Sequence, residues 1–460
     1  MRTPVCDFLQ KYSASGTVRM HMPGHKGKPE TGCDAHDLTE IEGADELYRA
    51  RGIIRESEEN AAALFGSGRT VYSAEGSSLC IRAMLYLASL RAAEKKIPRR
   101  ILAGRNAHKT LMTAAALLDI DIDWVYPEEE EGLLSCRLTA EKITRRLNEK
   151  AYMAAYITTP DYLGQMSPVR GIAEACHAKG VPLLADNAHG AYLRFLEEDR
   201  HPLTEGADLC CDSAHKTLPC LTGAAYLHIS KAAPAAFAAD AERAMALFAS
   251  TSPSYLILES LDRANAMLAG GLPGKIRAAA ARTAALRETL RARGWETAGD
   301  EAMKLTLRPK PYGYTGMETA EILRRSGIEC EYADPDHTVL MPSAETGEEE
   351  WDRAGAAIGR IPRRKAIPEE IPALRPPEKA MSVRQAMLSP AERIPAGQAA
   401  GRIMADPCAG CPPAVPAVAA GERIGEDAVR VFRYYGIRDH ERVFLAHISV
   451  FVLGPIPHAR

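Results

Sequence analysis

The first half of the chain alternates short apolar runs with stretches of helical periodicity, and no other feature of the sequence limits the fold as much. Strand-like runs fall at residues 70–73, 100–104, 121–126, 154–158, 182–186, 207–211 and 224–229. Helix-like stretches at 77–94, 108–119, 139–149 and 169–179 lie between several of them. Strand, helix, strand at this spacing predicts an α/β fold with a seven-stranded, mostly parallel sheet covered on both faces. Right-handed crossovers are then expected, and ligands belong beyond the carboxyl ends of the strands.

The texture changes near Ser254. Residues 255–268 and 275–293 are helical and alanine-rich; strand 303–308, helix 316–326, strands 329–332 and 338–341, and helix 347–358 follow. They predict a smaller α/β domain. Proline then thickens at Pro362, Pro368, Pro372, Pro376 and Pro377, which reads as a linker or an irregular strap. The expected division is 1–260 for an amino-terminal arm and large domain, 261–360 for the small domain, and 361–460 for the linker and a carboxyl-terminal module.

With 46% hydrophobic and 25% charged residues in 460, the composition is that of a globular chain rather than a disordered one. A net charge of −3 supplies no basic field for nucleic acid or an anionic membrane. No apolar run approaches the ~18 residues of a membrane span, and the first residues lack a signal core. Eleven cysteines without framework spacing suit reduced thiols and a cytoplasmic location.

Four clusters carry chemistry, and each follows a predicted strand. The first is Ser213-Ala214-His215-Lys216-Thr217. A lysine so placed can lose its proton and form a Schiff base with a carbonyl, although a short polar loop holds the same residue types. The second is Ala185-Asp186-Asn187-Ala188-His189-Gly190. A carboxylate at a buried strand end is costly unless paired; it suits a protonated pyridine nitrogen, and equally a structural arginine or a helix cap. The third, Ala74-Glu75-Gly76-Ser77-Ser78-Leu79-Cys80, opens a long helix as a phosphate cradle would. Two serines are also an ordinary cap. The Gly-Lys-Ser/Thr ending of a P-loop and the dinucleotide glycine fingerprint are both missing. The fourth is Arg105-Asn106-Ala107-His108-Lys109-Thr110, where His108 can lie against a planar ring or cap the next helix.

These clusters, with His21-Met22-Pro23-Gly24-His25-Lys26-Gly27, Leu38-Thr39-Glu40, Gly43, Asp45, Ser250-Thr251-Ser252-Pro253, Leu261-Asp262, Gly401-Arg402, Cys411-Pro412-Pro413 and Gly421-Glu422, resemble the ornithine/lysine/arginine decarboxylases of fold type I, in a short bacterial form. The resemblance implies the aspartate-aminotransferase-like fold and pyridoxal 5'-phosphate as cofactor. Lys216 would carry the cofactor as a Schiff base, Asp186 would bind the pyridine nitrogen, and His108 would stack on the ring. Ser77, Ser78, Ser213 and His215 would hold the phosphate. Ala188 would touch the other ring face, with His189 close to the substrate. Catalysis would rest on Lys216, His189 and Asp186, with Lys216 or His189 donating the proton to the α-carbon. The active site would lie at a homodimer interface, within a dimer or a higher oligomer, so that Ser252 reaches the neighbour's phosphate, and His25 and Lys26 would sit in the arm there. The activity implied is decarboxylation of arginine, lysine or ornithine to agmatine, cadaverine or putrescine.

The chain departs from that pattern in places. Relatives often carry asparagine or glutamine where Leu79-Cys80 stands, glutamate where Asn187 stands, and glycine where Ala414 stands. Glu40, Asp45 and Glu329 are candidates to meet the distal cation of the substrate. Cys408-x-x-Cys411 has no second ligand pair, so no metal is expected. Cys210-Cys211 reads as core, the acidic run Glu128–Glu131 as a solvated loop, and 448–453 as a packed strand. The competing activities are an aminotransferase or carbon–sulfur lyase on the same fold, and a cofactor-binding protein without turnover. No arginine motif for clamping a substrate carboxylate appears, which weighs against the transaminase.

Overall fold

The computed structural model describes residues 1–127, 132–373, 375–406, 413–435 and 450–453. Seven strands form the main sheet: β1 (Arg69–Ser73), β2 (Arg100–Gly104), β3 (Asp121–Val125), β4 (Ala154–Thr158), β5 (Leu183–Asp186), β6 (Leu209–Asp212) and β7 (Ala225–Ile229). Their order is β1-β7-β6-β5-β4-β2-β3. β5 runs parallel to β6, and β2 runs parallel to both β3 and β4; β7 is antiparallel to its neighbours β1 and β6. β5, β6 and β7 are buried at every position, as continuous apolar runs in a doubly covered sheet should be. The expected seven-stranded α/β fold is present, and the strand boundaries differ from the sequence expectation by at most two residues.

The chain divides into two compact units, residues 1–96 with 169–278 and residues 97–168 with 279–460. The first contains β1, β7, β6 and β5, and register fixes which of their ends coincide. Ser73, closing β1, faces Ala225, which opens β7; Asp212, closing β6, faces Tyr226. Asp186, closing β5, lies beside Cys211. The carboxyl ends of β1, β6 and β5 therefore share one sheet edge, because antiparallel β7 inserted between β1 and β6 leaves those two pointing the same way. This unit also holds helices Pro4–Ala14, Ile53–Phe65 and Ala235–Ala246, which the strand–helix alternation does not predict. Asp262, fully buried in helix Tyr255–Leu268, accepts from the amides of Val5 and Cys6 (both 3.0 Å) and from Ser57 Oγ. A carboxylate at a helix N-terminus satisfies its orphan donors and opposes its dipole, so Asp262 anchors the first helix.

The second unit contains β2, β3 and β4 and a smaller sheet of β8 (Glu296–Ala298), β9 (Leu305–Arg308), β10 (Tyr332–Ala333) and β11 (Thr338–Leu340) in the order β10-β11-β9-β8, antiparallel throughout. Trp295, Leu305, Leu307, Tyr314, Leu323 and Ile358 build its core against helices Gly316–Arg325 and Glu348–Gly359. Thr315 and Glu318 close a capping box at the first of these helices. The proline-rich stretch 361–377 has no helix or strand among its described residues. β12 (Ala391–Ile394) pairs antiparallel with β13 (Val450–Leu453), within the expected 448–453 strand. Glu128–Glu131, Cys408, Cys411 and most of the segment 444–460 lie outside the described residues. No described helix is long and apolar enough to cross a membrane.

Candidate active site

Three of the four clusters meet at the shared sheet edge of the first unit. The turn after β1 bends at Gly76, whose φ of +71° requires glycine. Gly76 N donates to Gly223 O at 2.7 Å, and Ser73 Oγ donates to Gly76 O at 2.9 Å. Helix Gly76–Glu94 starts there with no side-chain cap, so its first amides face outward without a side-chain acceptor from its N-cap residue. Ser213 Oγ, 1% exposed after β6, donates to Ser77 Oγ at 2.9 Å, which joins the first and third clusters directly. An open helix N-terminus flanked by paired hydroxyls is a receptor for a phosphate group.

The second cluster stands beside them. Asp186 is 2% exposed at the end of β5, and its Oδ1 accepts from Ala188 N at 3.3 Å. Lys216, on the one-turn helix Ala214–Thr217, is exposed, and its Nζ lies 3.0 Å from Nε2 of buried His189. An amine that reaches open space while touching an imidazole can accept a carbonyl compound and exchange a proton. His215 Nδ1 donates to Ala224 O at 2.9 Å, and burial pushes the imidazole below its ordinary value. The neutral ring thus presents Nε2 as an acceptor, and bonding a phosphate dianion there requires a second proton.

Ser252 is exposed, and its segment is tied to the phosphate turn of its own chain by Ser250 N donating to Glu75 Oε1 at 2.7 Å. His108 belongs to the second unit. It follows β2 as the N-cap of helix Lys109–Leu118, its Nδ1 accepting from Thr110 N at 3.2 Å. The capping reading of His108 is therefore present in the structure.

Of the three acidic candidates for the substrate's distal cation, two are engaged elsewhere. Asp45 accepts from the amides of Glu46, Arg51, Gly52 and Ile54 at 2.8–3.1 Å and shapes the entry to helix Ile53–Phe65. Glu329 pairs with Arg324 on the surface of the second unit at 2.9 Å. Glu40 is exposed and accepts from Thr39 Oγ1 at 2.6 Å.

Sequence reasoning passes over Asp212, buried between the clusters. Asn187 Nδ2 donates to its Oδ1 at 2.7 Å. A glutamate at position 187 would press one buried carboxylate on another. The available signal is position: Asp212 is the residue before Ser213.

The residues present fit a phosphorylated aldehyde with a pyridine ring: an accessible amine, an uncapped helix start with hydroxyls, and a buried carboxylate on one edge. Residues 3–297 match the Orn/Lys/Arg decarboxylase major domain. The arginine decarboxylase of Bacillus subtilis (strain 168) is 29% identical over 472 residues, covering 93% of this chain and 92% of that protein. The lysine decarboxylase LdcA of Pseudomonas aeruginosa is 24% identical over 306 residues, covering 58% of this chain and 40% of that protein. The crystal structure of the Francisella novicida lysine decarboxylase superposes with a TM-score of 0.75 at 17% identity, covering 94% of this chain and 76% of that one. With its major domain matched across more than half its length, the chain belongs to the Orn/Lys/Arg decarboxylase family, amino-acid decarboxylases of fold type I.

Proposed function

We propose that the protein decarboxylates a basic amino acid with pyridoxal 5'-phosphate, releasing CO2 and the corresponding amine. The observation that carries this reading is the 3.0 Å contact between Lys216 Nζ and His189 Nε2, on the sheet edge that also bears Asp186 and the uncapped helix start at Gly76. Lys216 holds the cofactor covalently, and Asp186 pairs with its ring nitrogen. Ser77, Ser78, Ser213 and His215 bind its phosphate, Ala188 lies against the ring, and Ser252 reaches the phosphate bound by a second copy in a homodimer. The ring-stacking role of His108 rests on the family resemblance alone.

When bound, the cofactor supplies an electron sink for the pair released with CO2, provided its ring nitrogen stays protonated. Asp186 keeps that proton in place; buried at 2% exposure, it offers a negative charge that water screens little. His189 fixes the Lys216 amine through the 3.0 Å contact between Nε2 and Nζ. Either can return a proton to the α-carbon of the product, because both are held where the amine must act. Among the three basic amino acids we put arginine first, since the Bacillus subtilis relative bearing that name matches 93% of the chain. The reading places the protein in the cytoplasm and in polyamine formation.

Incubation with arginine, lysine and ornithine in competition, with amines and CO2 both measured, tests the proposal. One amine in stoichiometric amount with CO2 supports it. A keto acid without CO2 indicates the aminotransferase chemistry, and no product from a cofactor-loaded protein indicates binding without turnover.

A further inference from the structure

β6 ends on Asp212, and nothing in the mechanism above uses it. The residue is fully buried, and so are the two histidines around it, His201 and His228. His201 Nε2 lies 2.9 Å from Asp212 Oδ2, and His228 Nε2 lies 3.3 Å from the same oxygen. His201 Nδ1 accepts from Leu203 N at 3.3 Å, so the ring's proton sits on Nε2 and is donated to the carboxylate. Thr70 Oγ1 is 2.8 Å from His228 Nδ1 and orients the second ring. Burial alone would raise the Asp212 carboxyl, but the two histidines facing it, His201 ahead of His228, hold it below the ordinary carboxylate range. The result is a buried anion with a fixed direction.

The other oxygen of that anion is turned toward the active-site turn. Asn187 is itself fully buried, and its Oδ1 has no hydrogen-bond partner among the described residues. The amide's orientation is therefore set by the 2.7 Å bond from its Nδ2 to Asp212 Oδ1. The turn is wrapped around this amide. Gly190 N donates to Asn187 O at 2.8 Å, and a Cβ on Gly190 would fall 1.9 Å from Asn187 Oδ1. Asp186 stands one residue before Asn187 and His189 two residues after it, within the same turn.

We propose that Asp212 is a positioning residue for the cofactor site: through Asn187 it sets the 186–190 turn, and with it the directions of Asp186 and His189. The inference rests on the pyridoxal phosphate reading and deepens it. Asp212 touches neither cofactor nor substrate; it acts through the amide that its charge holds in place.

The test is an exchange of donor and acceptor. N187D sets two carboxylates face to face in a buried contact, whereas N187D/D212N restores one amide and one carboxylate with their roles reversed. In the exchanged pair the side-chain carbonyl introduced by D212N can still accept from His201. Apo-protein of the wild type, N187A, N187D and N187D/D212N is titrated with pyridoxal phosphate, with its visible absorbance spectrum and dissociation constant as readouts. N187D and N187A are expected to weaken cofactor binding by about tenfold or more and to alter the spectrum, as loss of a charge-assisted bond would. The double variant is expected to recover most of the loss. Should N187D fail to fold, N187A and the double variant decide. Wild-type affinity and spectrum in N187A, or a double variant no better than the worst single one, overturns the inference and leaves the cofactor reading standing. A wild type that takes up no pyridoxal phosphate overturns both.

Discussion

Arg105 and Glu422, 317 residues apart in sequence, form a buried ion pair with Nη2 and Oε2 at 3.5 Å and side-chain exposures of 1% and 5%. The guanidinium also donates to Pro416 O at 2.7 Å and Ala417 O at 3.0 Å and lies over the Trp124 ring. Glu422 accepts from Ala419 N at 2.7 Å and Tyr126 OH at 2.9 Å. One cluster residue behind β2 and one tail residue thus fasten the carboxyl-terminal segment of the second unit.

Removing one partner strands the other. E422A is expected to cost about 3–5 kcal/mol of stability, because it leaves a buried guanidinium without its counter-charge. The double variant R105M/E422L should cost much less than the two single changes added together. Denaturant midpoints measure this, and strict additivity would contradict the pairing.

Lys216 and His189 separate by substitution. K216A should abolish turnover and any borohydride-fixed cofactor label, since it removes the amine that would form the covalent bond. H189Q keeps a hydrogen-bonding group beside Lys216 but cannot carry the proton, so the label should persist while kcat falls by about 10²–10⁴. A kcat within twofold of wild type would remove His189 from the proton path.

Asp186 is expected to show the same split as His189. D186N retains shape and the Ala188 amide contact but removes the charge that keeps the ring nitrogen protonated. Cofactor should still bind, with kcat down by roughly 10²–10³, the size of one lost electrostatic stabiliser. Equal rates for D186N and wild type would refute the assignment.

Glu58 predicts a pH dependence unrelated to catalysis. It is 1% exposed; Oε1 accepts from Tyr72 N at 3.0 Å and Oε2 has no partner among the described residues. Burial pushes its carboxyl up from 4.5 to about 8. The folded protein therefore holds a proton that the unfolded chain has already released. This group's contribution to stability is full below pH 4.5 and is lost as pH rises toward 8, at up to about 1.4 kcal/mol per pH unit. E58Q should flatten that decline in thermal or denaturant midpoints between pH 5 and 8; an unchanged slope would show Glu58 ionised in the fold.

What was legible in the amino-acid order was whatever is local. The inner strands β2, β4, β5, β6 and β7 are visible as largely apolar runs, because a doubly covered strand needs both faces apolar over four or five residues, while edge strands β1 and β3 mix polar residues into theirs. The chemistry-bearing residues are visible for the same reason: Lys216, Asp186 and Ser77 each interrupt that pattern at or just past a strand end. Pairing across the chain left no such trace. That β7 enters between β1 and β6, and so brings three strand ends to one edge, depends on register between segments more than a hundred residues apart. Asp45 looked like a ligand for a cation, yet backbone amides several residues on take up its oxygens. Asp212, Asp262 and Glu422 carry no local pattern that announces a role, because each buried carboxylate gains its meaning from a donor brought to it by folding.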